Sequence, residues 1–365
     1  MSAAPPPVAV YAPMKPPDHP RPSGDRRIAQ LTLAALQRAG FAPRLASRLR
    51  VLDMAGDPEA QARLSEAAEA EAARVAARLR DAPPAAWLTY HCHYKAPDLI
   101  GPRVAAALGL PYLITEPSLS PRRREGPWAR FAAAAEAAIR RADRLLWTTA
   151  RDRPALEAAG LGDRMTHLPA FLDEGPEVDP RPAGRPLRLL TVAMMRPGDK
   201  AESYRRLAAG LARLDLDWRL DVVGDGPARE ACLSPLAALG PVTHRPGLTT
   251  PEAIRPLYEA ADLLVWPGVN EGVGMAWLEA QAAGLPVVAE DGPSARAVIG
   301  AGRLVHPDDP DALAAAIRSA AAARESLSAA ARAHIRAGHG LDAAAGRLGA
   351  AIRSLLPVPA AEPRR

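Results

Sequence analysis

Two glutamates eight residues apart, Glu271 and Glu279, carry the strongest chemical signal in the chain. Glu271 lies in the glycine-flanked loop Asn270-Glu271-Gly272-Val273-Gly274. Glu279 lies in the apolar helix that this loop opens, which ends at Gly284 before the buried run Leu285-Pro286-Val287-Val288-Ala289. A helix start offers unpaired N–H groups and the positive end of the dipole, where anions settle. Carboxylates placed in such a site need hydroxyl groups to donate to them. The expected ligand therefore has both parts, phosphates for the amides and hydroxyls for the glutamates, as a sugar nucleotide does.

Other polar groups sit where strands are expected to end. Arg196 and Lys200 follow the apolar run Leu187–Met194, placed to clamp a diphosphate, one bidentately and the other as a point charge. An ordinary charged turn is the alternative. Only three of the 46 basic residues are lysines (Lys15, Lys95 and Lys200), so each is a candidate for a compact charge that arginine would not replace. Gly224-Asp225-Gly226-Pro227 ends the next strand as a glycine turn, expected to wall a nucleotide pocket. In the first half, Ser23-Gly24-Asp25 reads as a helix cap, with Gly24 open to close approach by a phosphate. His91 and His93 end a strand in Thr89-Tyr90-His91-Cys92-His93-Tyr94-Lys95, and Glu116 ends the strand after it. No third ligand has metal spacing near the histidines, so a hydrogen-bonding cluster is expected there, with Glu116 contacting an acceptor hydroxyl or capping its loop. Asp215-Leu216-Asp217 precedes a strand, the wrong end for a metal-diphosphate site, and reads as a solvated turn.

Length, composition and patterning bound the elements that hold these groups. At 365 residues the chain fits two domains of ~150–180 residues each. A net charge of +5 is mildly basic, which suits a phosphorylated substrate, anionic lipid or plain solvated arginines. Nucleic acid is not the expected partner. Cys92 and Cys232 lie far apart with no metal spacing, so no disulfide framework is expected. No signal peptide or long apolar run stands out, which predicts a cytoplasmic protein. Arg122-Arg123-Arg124, with Trp128, Phe131, Arg140 and Arg141 beyond, fits a peripheral contact with an anionic membrane surface at the inner face; a solvated helix face is the alternative.

Apolar runs alternate with helical patterns, the signature of α/β folds with parallel sheets. Expected strands are Val8–Tyr11, Arg44–Leu49, Trp87–Tyr90, Tyr112–Thr115, Arg144–Trp147 and Met165–Leu168. After the Pro/Gly-rich stretch 173–186, the best linker in the sequence, come Leu187–Met194, Arg219–Val223, Val242–His244, Leu263–Trp266, Pro286–Ala289 and Leu304–His306. The expected division is a first domain over 1–175, a second over 186–338, and a terminal helix and tail over 339–365.

In this order the pieces resemble the glycosyltransferase family 4 group of retaining enzymes, above all from Leu187 to Ala315. The resemblance rests on Arg196/Lys200, Gly224-Asp225-Gly226, Leu257–Asp262 (LYEAAD) and the Glu271…Glu279 pair followed by Ala-Gly-Leu-Pro-Val-Val. It implies the GT-B fold: two Rossmann-like doubly wound domains facing across a cleft, with a C-terminal helix crossing back to the first. By that resemblance the first domain binds the acceptor and the second a nucleoside-diphosphate-sugar donor. Arg196 and Lys200 neutralise the leaving diphosphate, so no metal or other cofactor is needed. Glu271 faces the donor sugar, beside the amides of Gly272, Val273 and Gly274, and Glu279 accepts from the ribose. Gly24 touches the phosphates. The family often has a histidine after the fourth strand; here Ile114-Thr115-Glu116-Pro117 stands there, and His91, His93 or Glu116 takes its place. Two further departures are Gly268, where serine commonly follows Pro267, and Trp277, at a usually smaller position. An epimerase or sugar phosphorylase on this architecture, or a catalytically silent nucleotide-sugar-binding protein, are the rival readings.

Overall fold

The computed structural model describes residues 4–21, 23–176, 186–247 and 250–357. The chain divides into two compact units, Met1–Pro169 with Leu341–Arg365, and Ala170–Gly340. Of the linker stretch 173–186, residues 177–185 lie outside the described residues. Ala170 and Leu172 already belong to the hydrophobic core of the second unit.

The first unit is a six-stranded sheet of β1 (Pro7–Tyr11), β2 (Ala42–Leu45), β3 (Ala86–Cys92), β4 (Tyr112–Pro117), β5 (Arg144–Trp147) and β6 (Met165–His167), in the order β2-β1-β3-β4-β5-β6. Every neighbouring pair is parallel. Helices on both faces explain why β3 and β4 are almost continuously buried rather than alternating. They are α1 (Gly24–Arg38), α2 (Pro58–Leu79), α3 (Gly101–Leu108), α4 (Ala129–Arg141) and α5 (Arg153–Ala158). Ser23 caps α1 by accepting from the Arg26 N–H. Asp57 caps α2 ahead of Pro58, which suits a first-turn position because its missing N–H would have no helical partner there. The second strand falls earlier than the expected Arg44–Leu49. Its ladder starts at Pro7↔Ala42 and stops at Val10↔Leu45, and Arg48 and Arg50 then turn off to Asp18 and the Met14 carbonyl.

The second unit holds β7 (Leu187–Val192), β8 (Trp218–Val223), β9 (Val242–Arg245), β10 (Leu263–Val265), β11 (Val287–Glu290) and β12 (Gly302–Val305), ordered β12-β11-β10-β7-β8-β9. All pairs are again parallel. Its helices are α6 (Asp199–Leu211), α7 (Arg229–Ala237), α8 (Pro251–Ala260), α9 (Met275–Ala282), α10 (Pro293–Val298), α11 (Pro310–Ala322) and α12 (Arg324–His334), followed by a π-helical turn, Ile335–His339. Counted within the unit, this is the 3-2-1-4-5-6 order of a Rossmann sheet, whereas the first unit has the 2-1-3-4-5 order with one more strand.

The last helix, α13 (Leu341–Arg353), returns to the first unit. Asp342 pairs with Arg38 of α1 at 2.5 Å, and Arg353 donates to the Ala39 carbonyl and lies 5.3 Å over the Phe41 ring.

Candidate functional site

In a doubly wound sheet, ligands bind beyond the carboxyl ends of the strands where the winding reverses. In the second unit that point lies between β7 and β10, which pair directly. The chain leaving β7 carries Arg196 and Lys200, and the chain leaving β10 carries Glu271.

The ends of β7 and β8 are knitted by backbone: Met195 N–H donates to the Asp225 carbonyl and Ala228 N–H to the Met195 carbonyl. A Cβ at Gly226 would lie 2.2 Å from the Met195 oxygen, so only glycine permits this approach. His244 holds the Gly224 carbonyl at 2.8 Å. The glycine turn thus stands directly beside the Arg196 segment.

Lys200, in the first turn of α6, donates to Glu271 Oε2 at 2.5 Å. Trp266 Nε1 donates to the same oxygen at 3.0 Å, and the lysine Nζ lies 5.3 Å over the Trp266 ring. Arg196 is exposed and directs its guanidinium to Met194 Sδ at 3.1 Å. Of the expected basic pair, Lys200 is held by Glu271 and Arg196 rests against Met194.

The loop carrying Glu271 is tied down at several points. Ser294 Oγ donates within reach of the Glu271 and Gly272 carbonyls, at 2.6 and 2.7 Å. Val269 N–H donates to Ser203 Oγ, and Asn270 Nδ2 to Asp199 Oδ1. Gly274 starts α9 in left-handed geometry with no side-chain cap; Trp277 N–H donates to the Gly274 carbonyl at 2.9 Å, and the helix start otherwise offers its N–H groups to an acceptor from outside. Gly272 is exposed, while Val273 packs against the core.

Gly268 and Trp277, the two departures in this stretch, are a single feature. A Cβ at Gly268 would come within 2.3 Å of Trp277 Cζ2, and one at Gly274 within 2.3 Å of its Cε3. The indole fills the volume that side chains at both loop ends would take.

Glu279 sits one helical stretch further on and accepts from Tyr258 Oη at 2.9 Å. Tyr258 is buried, and burial together with the Glu279 charge raises its hydroxyl well above the ordinary range, which keeps it a donor. The run LYEAAD stands out in the sequence, but only the fold shows that its tyrosine orients Glu279.

In the first unit the reversal falls between β1 and β3. Tyr90 pairs with Thr115 and Cys92 with Pro117, so His91 and Glu116 oppose each other across β3 and β4. Both have left-handed backbone, φ 60° and 51°, a strain of about 1–3 kcal/mol each that clusters at working sites. His91 Nδ1 is buried with no hydrogen-bond partner, 3.6 Å from Asp25 Oδ1. Burial opposes a charge on His91, but attraction by Asp25 and Glu116 outweighs it and raises its pKa. Burial also raises Glu116. Burial and then repulsion from His91 push His93 down to about 3, leaving it neutral. Gly24 opens α1 beside Asp25, and a Cβ there would meet nothing within 4 Å. Asp25 is the member of this cluster that the sequence does not mark as chemical, since it reads as part of a cap.

Among the described residues no group of three or more His, Cys, Asp and Glu side chains is arranged to hold a metal ion. Both cysteines are free and buried. Asp215 pairs with Arg318 at 3.0 Å and is largely exposed. Phe131 is fully buried in the first core, so it does not belong to a membrane-facing surface. Arg124 and Arg140 are both held by Glu136. No described helix is long and apolar enough to cross a membrane.

Residues 186–322 match the glycosyl transferases group 1 family. This is the segment that carries Lys200, Glu271 and Glu279. A D-inositol 3-phosphate glycosyltransferase of Geodermatophilus obscurus is 49% identical over 80 residues, covering 21% of this chain and 18% of that protein. The chain therefore matches under a fifth of that relative's length. Solved structures cover nearly all of it. A sucrose-phosphate synthase from Thermosynechococcus elongatus aligns with TM-score 0.67 at 21% identity, over 96% of this chain and 98% of that one. Anabaena Alr3699/HepE in complex with UDP-glucose aligns with TM-score 0.66 at 15% identity, over 95% and 100%. The fold is GT-B, as the sequence resemblance implied.

Proposed function

We propose that this chain is a retaining glycosyltransferase, moving a sugar from a nucleoside-diphosphate donor to an acceptor without a metal. The carrying observation is the Lys200–Glu271 pair at the reversal point of the second sheet, inside the segment that matches the family. A lysine and a carboxylate beside a helix start with no side-chain cap suit a ligand with an anionic and a hydroxylated end. On this reading the diphosphate recruits Lys200, Arg196 and the N–H groups of Gly272, Val273 and Gly274. Charge developing on the leaving group then meets fixed donors rather than reorganising water. Glu271 receives the donor sugar's hydroxyls, and Glu279, steadied by Tyr258, those of the ribose. The family match, and the complex of the Anabaena protein with UDP-glucose, support the same class of donor.

The first unit takes the acceptor on this reading. His91, with its raised pKa, and Glu116 form an acid–base pair at the strand ends, with Gly24 beside them leaving room for a phosphate. A peripheral contact with anionic membrane through Arg122 and Arg123 is a subsidiary proposal.

A thermal-shift screen with UDP-, GDP- and ADP-sugars tests the donor reading. A ligand at about 100 times its Kd stabilises the folded state by about 2.7 kcal/mol. One nucleotide class should raise the melting temperature in wild type and not in Lys200→Ala. No shift with any of the three classes counts against it.

A further inference from the structure

We infer that Trp266 is a positioning residue for Glu271 and Lys200, and that Trp277 sets the height of the loop between them. The inference rests on the donor reading of this site and adds two residues that neither the sequence motifs nor the family match singled out as functional.

Trp266 is 1% exposed, and its only polar side-chain atom donates to Glu271 Oε2 at 3.0 Å. The face of the same indole lies under the Lys200 Nζ at 5.3 Å. One ring therefore holds the acid by its edge and the base by its face. A carboxylate fixed by a charge-assisted bond has less freedom to turn towards water, and an ammonium over an indole is attracted by the ring quadrupole.

The indole is itself fixed. Tyr204 packs edge-on against it, 5.1 Å between centroids at 68°. The Tyr204 hydroxyl donates to the Ala193 carbonyl at 2.9 Å, at the end of β7 where the glycine turn docks. A continuous chain of contacts runs from β7 through α6 to the carboxylate. Trp277 completes the frame from below, because its benzo ring occupies the space beside both Gly268 and Gly274. The Glu271 loop thus stands on one tryptophan and is held by another. Side chains locked in this way keep a site within the small tolerance that transfer chemistry needs.

Losing the indole N–H alone releases Glu271 and leaves the ring face under Lys200, so turnover should fall more than affinity for the diphosphate that Lys200 holds. The test uses the full chain, with UDP-glucose, GDP-mannose and ADP-glucose as donors and the matching nucleoside diphosphates as binding probes. Trp266→Phe keeps a ring face and removes the N–H. It should lower donor turnover about tenfold or more, the value of a hydrogen bond to a charged group, while the nucleoside diphosphate Kd stays near wild type. Trp277→Phe, which loses part of the floor beside Gly268 and Gly274 and so under both Glu271 and the loop amides, should lower turnover and nucleoside diphosphate affinity together; wild-type values of both in that variant overturn the inference if Trp266→Phe does not fold. A folded variant with wild-type turnover overturns the inference. In Trp266→Phe, equal losses in turnover and nucleotide affinity also overturn it, because they report a general structural role. If wild type neither binds nor turns over any of the three donors, the donor reading itself falls, and this inference with it.

Discussion

Lys200 Nζ and Glu271 Oε2 lie 2.5 Å apart at the reversal point of the second sheet, although 71 residues separate them in the chain. From sequence, each of these groups has a different part of the donor to hold. The structure joins them, so the acid and the base share charge until a diphosphate competes for the lysine. Their link through Trp266 gives the second unit a prearranged centre.

Tyr258 should matter through Glu279 alone. Tyr258→Phe removes the hydroxyl that donates to Glu279 at 2.9 Å, a hydrogen bond to a charged group worth about 1.5–3 kcal/mol. Affinity for the ribonucleoside diphosphate should fall by up to about tenfold for each 1.4 kcal/mol of that value. Affinity for the 2′-deoxy analogue should change less. Calorimetry with both nucleotides checks this, and an equal loss for the two would separate Glu279 from the ribose.

The opposed His91 and Glu116 give a second prediction. Asparagine tolerates left-handed backbone better than most residues, so His91→Asn and Glu116→Asn should fold with melting temperatures near wild type. Both should lose transfer to the acceptor by about 10²-fold or more, the usual contribution of a positioned acid or base. Retained transfer in either variant removes that residue from the chemistry.

His93 carries a pH prediction. Its folded pKa is pushed down to about 3, whereas a histidine in the unfolded chain takes up its proton near 6.5. As pH falls through 6.5 towards 3 the unfolded state binds the extra proton, so stability is lost across that window and is fully present above it. His93→Asn should flatten part of this loss. Urea midpoints at pH 7 and pH 4.5 measure it, and an unchanged pH slope would show that His93 is not the group responsible.

Much of this is readable in the sequence. Each expected strand has a counterpart in the structure, the second shifted to Ala42–Leu45 and the last to Gly302–Val305, because buried parallel strands are written as short apolar runs such as Trp87-Leu88-Thr89-Tyr90. Helix α12 is not, since the residues it buries are Arg324, Ser328 and Ala331 rather than large apolar side chains, and the buried Arg324 near Asp262 has no local signature. The candidate site is legible where chemistry and turn geometry coincide, as at Lys200, Glu271 and the glycine turn. Trp266, Tyr258 and Ser294 carry no such mark, because each acts on a residue distant in sequence or in an unusual role. The pairing of Gly268 with Trp277 needs the fold as well: separately they are two oddities, and together they fill one volume.

The central claim is that Lys200 and Glu271 form the donor centre of a glycosyltransferase. It is tested most directly by measuring turnover of the best-stabilising nucleotide sugar by wild type, Lys200→Ala and Glu271→Gln. The account predicts nucleoside-diphosphate release by wild type and a loss of about 10²-fold or more in each variant, with both variants folded. Full donor turnover by both variants would contradict it.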